Sequence, residues 1–220
     1  IIRGRSAKVC ELLITADADA TQPFNGRSPY ALAKSCGNQD AARLLERLGL
    51  ITALDPAAEL MAAICANDRA GAYKILEDQP NLVSSLSQDD LSRQTEIAMR
   101  AESLPILALM VELGFDINFK GESDSPPIHS GAWWGHPEIV DLYIRAGAKL
   151  DLINMFGGDT LGTAIHGSSH CPARENGDYI AVVTALLDAG ATIKPDHGHL
   201  EMGSDAVTLL LESRLETVKS

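Results

Sequence analysis

Between Ser123 and Asp151 the chain reads SDSPPIHSGAWWGHPEIVDLYIRAGAKLD, and the punctuation of this stretch limits the possible folds sharply. Pro127 suits the first turn of a helix, where its missing N–H would have no partner in any case. Gly135 can take a left-handed backbone and stop that helix, and Pro137 can open the next. Ile139, Val140, Tyr143 and Ile144 recur at helical spacing, so one face of the second helix is buried before Gly147 ends it. Two helices this short cannot bury both faces alone. They require similar pairs stacked on either side.

Similar pairs are visible along the chain. Gly26-Arg27-Ser28-Pro29-Tyr30-Ala31-Leu32-Ala33 opens one, Gly37-Asn38 breaks it, and Ala41, Leu44, Leu45 and Leu48 form a second buried face before Gly49. From Gly49 to Gly114 is 65 positions, and from Gly114 to Gly147 is 33. That register argues for one continuous array. Inside the weaker middle, Leu60, Ala63 and Ile64 predict one helix and Ala72, Ile75 and Leu76 another, with Asn67-Asp68 between them and Pro80-Asn81-Leu82 at the end. Asp89-Asp90 are expected to cap a helix carrying Ile97 and Ala98. After Glu102, Ile106, Leu107, Met110 and Val111 predict its partner.

The two ends differ. From Ala7 to Ala16, Val9, Cys10, Leu12 and Leu13 predict the second helix of a pair whose first helix would precede Ile1, with Gly4 as the break. Such a helix would present an uncapped apolar face. Near the other end, Gly158 to Gly190 spans 32 positions where Gly26 to Gly49 spans 23. About nine residues are inserted there, placed around Ser168 to Asn176. Ile180, Val182, Val183, Leu186 and Leu187 predict the following helix. A finger from Lys194 to Gly203 leads into a capping helix over residues 205–218, with Val207, Leu210, Leu211 and Leu215 on its apolar side.

These motifs resemble the ankyrin repeat, whose T-P-L-H-x-A signature opens a turn–helix–loop–helix unit of about 33 residues. Pro126 takes the Thr place, Pro127-Ile128-His129 follow, and Gly131 replaces the first Ala; in the earlier unit Ser28, Tyr30 and Ala31 stand for Thr, Leu and His. The resemblance runs from Ala7 to Ile193. It implies an all-α solenoid filling residues 1–220, with about five to six units, the first incomplete. It also implies a protein–protein interaction module that binds on a concave face, with no catalytic residue. The late unit is similar to bacterial ankyrin-repeat proteins with an expanded repeat and no settled activity. Leu161-Gly162, Ile165-His166-Gly167-Ser168, Gly177-Asp178-Tyr179 and Leu186-Leu187 carry that similarity, while Thr163 stands where that group has an aromatic.

Eighteen basic against thirty acidic residues give a net charge of -12. That disfavours nucleic acid and anionic membrane as partners and leaves a protein with a basic surface. No segment is long and apolar enough to span a bilayer. Cys10, Cys36, Cys65 and Cys171 form no CxxC pair, which favours a reduced, cytoplasmic setting. The start at Ile1 suggests a missing upstream segment, so a structural array serving an upstream domain is one alternative function.

Trp133 and Trp134, the two tryptophans of the chain, fall where the first helix of the central unit ends. Tryptophan buries much area with few torsions, which suits a binding hot spot. One ring is expected between repeats and one in a partner groove, with His136, Met155 and Phe156 extending the surface. The fingers Lys120 to Asp124 and Asn154 to Gly157 flank it. His129 is expected to tie neighbouring turns by hydrogen bonds. His166, His170, His197 and His199, with Cys171, bring zinc ligand types together but in no recognised spacing, so no metal or cofactor is expected. A metal- or thiol-dependent enzyme using the inserted loop 168–176 is the other alternative. No nucleophile elbow, P-loop or HExxH supports it.

Overall fold

The computed structural model describes residues 7–98, 103–121, 124–194 and 198–219. Gly4, Glu102, Ser123 and His197 lie outside the described residues. Among those described, the chain forms α-helices and no β-strand beyond one bridge between Phe24 and Arg27. It divides into two compact units, Ile1–Asp90 and Leu91–Ser220.

The first unit holds α1 (Ala7–Thr15), α2 (Pro29–Ser35), α3 (Gln39–Arg47), α4 (Pro56–Cys65) and α5 (Arg69–Asp78). Helices α2 and α4 pack side by side, and α1 lies on α3. Ala33, Ala41, Ala42 and Leu45 form a buried cluster on which Cys10 and Tyr30 pack. Helices α2 to α5 each start on an acceptor: Ser28, Asn38, Asp55 and Asp68 receive the N–H of Ala31, Ala41, Ala58 and Gly71. The outer face of α1 is open, with Leu12 and Leu13 exposed.

A charge cluster closes this unit. The Arg27 guanidinium reaches both oxygens of Asp90 and the Asp55 carboxylate at 3.1 Å. The Asp90 side chain is 1% exposed, so Arg27 is the counter-charge that makes its burial tolerable. Asp90 sits in the first turn of α6 (Gln88–Ala98), which crosses the boundary between the units. The Asp89-Asp90 cap is thus corrected. Ser87 caps the helix, accepting from Asp90 N at 3.2 Å and donating back to its carboxylate. Sequence position alone could not separate an acid before the helix from one inside it. Ile97 is half-buried, and the Ala98 side chain lies outside the described set.

The second unit contains α7 (Leu104–Glu112), α8 (Pro127–Trp134), α9 (Pro137–Arg145), α10 (Thr160–His170), α11 (Tyr179–Asp188) and α12 (Asp205–Lys219). Helices α8 and α10 form one row, α7, α9 and α11 a second, and α12 packs on α11. The period-carrying glycines Gly114, Gly147 and Gly190 all have positive φ. Each is followed by an N–H bonded back to the helix, as from Ala148 to the Tyr143 carbonyl at 2.9 Å, which closes the last turn.

Several expected core positions shift. In α7 the buried residues are Leu107, Leu109 and Met110, with Ile106 and Val111 half-buried; in α4, Ala58 and Met61 are buried and Ala63 is half-buried. Both helices are apolar almost all round, so periodicity cannot choose the inward face. Ile75 and Leu76 are half-buried, and Leu48 and Ile180 are exposed.

The insertion is only partly a loop. Ser168 to His170 extend α10, and a 3-10 turn at Arg174–Asn176 returns the chain to α11. That return is held by three glycines around Tyr179. A Cβ at Gly167 would stand 2.6 Å from the Trp133 carbonyl oxygen, and one at Gly177 2.8 Å from that of Trp134. One at Gly135 would lie 2.7 Å from the Gly177 Cα. The Tyr179 hydroxyl donates to the Trp133 carbonyl at 2.7 Å, and Asp178 N to the Gly135 carbonyl at 2.9 Å. Substituting Gly167→Ala should therefore cost about 2 kcal/mol in urea denaturation followed by tryptophan emission. Tyr179→Phe, which removes only the hydroxyl, should cost about 1 kcal/mol. A neutral Gly167→Ala would show that these backbones are not in contact.

Candidate functional site

The second unit has a groove of about 610 Å³ along α8, α10 and the loop between α9 and α10. Trp133, Trp134 and Phe156 line it, together with His129, Thr163 and His166. The small residues Ser130, Gly158 and Gly162 also line it, as do His199 and Met202. The apolar lining with a few polar groups has the character of a binding site.

The aromatic tip is built by a turn. Asn154 accepts at its carbonyl from Gly157 N at 3.0 Å, and Gly157 takes φ 82°. Asn154 Oδ1 accepts from Phe156 N at 2.9 Å and from Gly158 N at 3.1 Å. An Asn at the first turn position and a Gly at the fourth favour this geometry. The turn lifts Met155 and Phe156 into solvent, 61% and 84% exposed.

Behind the tip runs a polar bridge between helices. Asn154 Nδ2 donates to Thr163 Oγ1 at 3.1 Å, and Thr163 Oγ1 donates to the Asp159 carbonyl at 2.8 Å. His129 Nδ1 hydrogen-bonds with the same Thr163 oxygen at 3.1 Å. His129 thus joins α8 to α10 and to the finger. Burial is the main influence on it and pushes its pKa down to about 4, against the opposing pull of the Leu152 carbonyl. His166 is also lowered, by burial and by neighbouring His170, whose ring stacks on it at 4.1 Å. The Trp133 ring is also close to His166, with 5.8 Å between ring centroids.

Asp159 caps α10, accepting from Gly162 N at 2.8 Å, and pairs with Lys194. Burial raises its pKa, but the Lys194 ammonium and the Gly162 N–H outweigh burial and hold the carboxyl below its ordinary value. His199 is buried beside it and accepts from Lys194 N at 3.1 Å.

Of the residues singled out in the sequence, Trp133, Trp134 and Phe156 converge on the groove, both tryptophans being half-buried. Met155 shares the finger tip but does not line the groove. His136 lies outside it, half-buried at the start of α9, where its side chain makes no capping bond. Groove residues to which the sequence assigned no binding role include Asn154, Asp159 and Thr163, along with His129, His166 and His199. Among the described residues, no three His, Cys, Asp or Glu side chains are placed to hold a metal ion. No described helix is long and apolar enough to cross a membrane.

Comparison with known proteins identifies the repeat. Protein fem-1 homolog C of Homo sapiens is 38% identical over 53 residues, 24% of this chain and 9% of that protein, as is its Mus musculus counterpart. The ankyrin repeat and KH domain-containing protein mask-1 of Caenorhabditis elegans is 28% identical over 152 residues, 68% of this chain. The fold is an all-α ankyrin-repeat fold. The aligned part is only 6% of mask-1, so the chain spans a small fraction of the relatives it matches. No family model matches the chain. The ankyrin finger between α9 and α10 and the ankyrin helices α8 and α10 supply most of the groove.

The depressed His129 pKa has a consequence for stability. The unfolded imidazole titrates near 6.5, so below that pH the unfolded chain binds a proton that the folded chain refuses until about 4. Stability from this group is complete above pH 6.5 and is lost as pH falls to about 4, by up to about 3 kcal/mol. His166 acts in the same direction. Urea denaturation at pH 7 and pH 4.5 should show a smaller loss for His129→Gln than for the parent chain; equal losses would refute the assignment.

Proposed function

We propose that the chain is a protein-recognition module in which a partner's peptide segment lies in the groove of the second unit, on the concave side of the ankyrin stack. The observation that carries this reading is the convergence of Trp133, Trp134 and Phe156 on one open cavity with a prearranged turn. Aromatic anchors held by a rigid frame lose little conformational freedom on binding. The ankyrin-repeat relatives support an interaction role. The chain acts without metal, cofactor or catalysis, in the cytoplasm, and nucleic acid and membrane are not its targets. Met155 extends the contact from the finger tip, and His136 flanks it. The expanded late repeat, similar to that of the bacterial ankyrin-repeat proteins, supplies the packing that fixes the tryptophans.

A random-sequence peptide library selected on the immobilised chain tests this reading. Selected peptides should contain an apolar or aromatic anchor and bind Trp134→Ala about tenfold or more weakly, with the variant's fold checked by circular dichroism. Tyr73→Ala, in the first unit, should bind like the parent. If the peptides bind Trp134→Ala as tightly as the parent, the site is elsewhere.

A further inference from the structure

The unit that carries the groove is net negative, and no lysine or arginine is found among the described residues that line the groove. Residues 91–220 hold eighteen Asp and Glu against nine Lys and Arg, so nine of the twelve net negative charges belong to the unit that carries the groove. The nearby cations are already engaged: Lys194 with Asp159, and Lys120 with Asp124 and the Ile153 carbonyl. Exposed Glu201 stands next in sequence to the lining residue Met202. Near neutral pH His129, lowered to about 4 by burial, adds no charge. What the groove offers is two indoles and a phenyl ring in a unit of net negative charge.

We propose that the groove takes an arginine-bearing segment of a partner protein, with a guanidinium seated against Trp133, Trp134 and Phe156. The proposal rests on the recognition reading above and narrows it to one ligand chemistry. Arginine fits better than lysine. Its planar guanidinium is weakly hydrated and stacks on aromatic faces while its N–H groups stay free for acceptors at the rim. A partly desolvated cation–π contact of this kind is worth about fivefold to thirtyfold in affinity. The Asp159 carboxylate is not the counter-charge, because Lys194 and Gly162 N already occupy it. The aromatic rings and the long-range field do that work, so binding should weaken as salt rises.

Trp133 and Trp134 are the two tryptophans of the chain, which makes their emission a site-specific readout. The probe is a blocked peptide, Gly-Ser-Arg-Leu-Arg-Ser-Gly, titrated alongside versions with glutamine or glutamate in place of arginine. The arginine peptide should change the emission and saturate, and the glutamine version should bind about tenfold more weakly. Phe156→Ala, at an exposed tip whose loss leaves the core intact, should weaken the arginine peptide about fivefold. Caesium should quench the emission more than iodide, each measured against neutral acrylamide. Equal binding of the glutamine and arginine peptides, preference for glutamate, an unaffected Phe156→Ala or stronger quenching by iodide would each overturn the proposal. Library peptides that require Trp134 but lack a basic residue would also overturn it while leaving the recognition reading in place. Failure of every peptide to bind would overturn both.

Discussion

Tyr179 is the point on which the second unit depends. Its ring sits against Gly135, Gly167 and Gly177, and its hydroxyl is bonded to the Trp133 carbonyl at 2.7 Å. Four segments meet there: the end of α8, the extended part of α10, the return from the 3-10 turn and the start of α11. Backbones can approach this closely only where no Cβ intervenes, so the glycines and the tyrosine form one packing unit. The inserted residues lengthen α10 by part of a turn, and the chain must then fold back tightly to reach the ordinary start of α11. The junction makes that return possible.

The same junction orients the groove. The Trp133 and Trp134 carbonyls are fixed by Tyr179 and by the approach of Gly177, so the two indoles leave a held backbone. On the opposite wall, the turn at Asn154 is tied through Thr163 to His129. Both walls are therefore braced from behind, and the recognition surface costs little to order when a ligand arrives. The central repeat lacks side-chain caps on α8 and α9, where Pro126 and His136 occupy the cap positions. Pro127 and Pro137 at the first helical positions have no N–H, so each removes one donor that a cap would have to satisfy.

Much of the fold was legible because ankyrin punctuation is local. The glycines Gly49, Gly114, Gly147 and Gly190 mark helix ends whether or not their neighbours are known, and all four have positive φ. Helix faces were less legible where α4 and α7 are apolar throughout. The groove was half legible. Tryptophans at a helix end and a Met-Phe finger tip announce exposed apolar area, and they pointed to Trp133, Trp134 and Phe156. Asn154, Thr163 and Asp159 gave no such signal, because they act through bonds to residues up to thirty-five positions away, as in the Lys194–Asp159 pair. The role of Gly167 and Gly177 was hidden for the same reason. A glycine that permits a distant backbone to approach looks like any other glycine.

Hydrogen–deuterium exchange with and without a selected peptide tests the central claim most directly. Binding in the groove should slow exchange in α8, in the finger around Asn154 to Gly158 and in the first turns of α10. The outer helices α9 and α11 should be unchanged. Protection concentrated on α9 and α11, or in the first unit, would contradict the account.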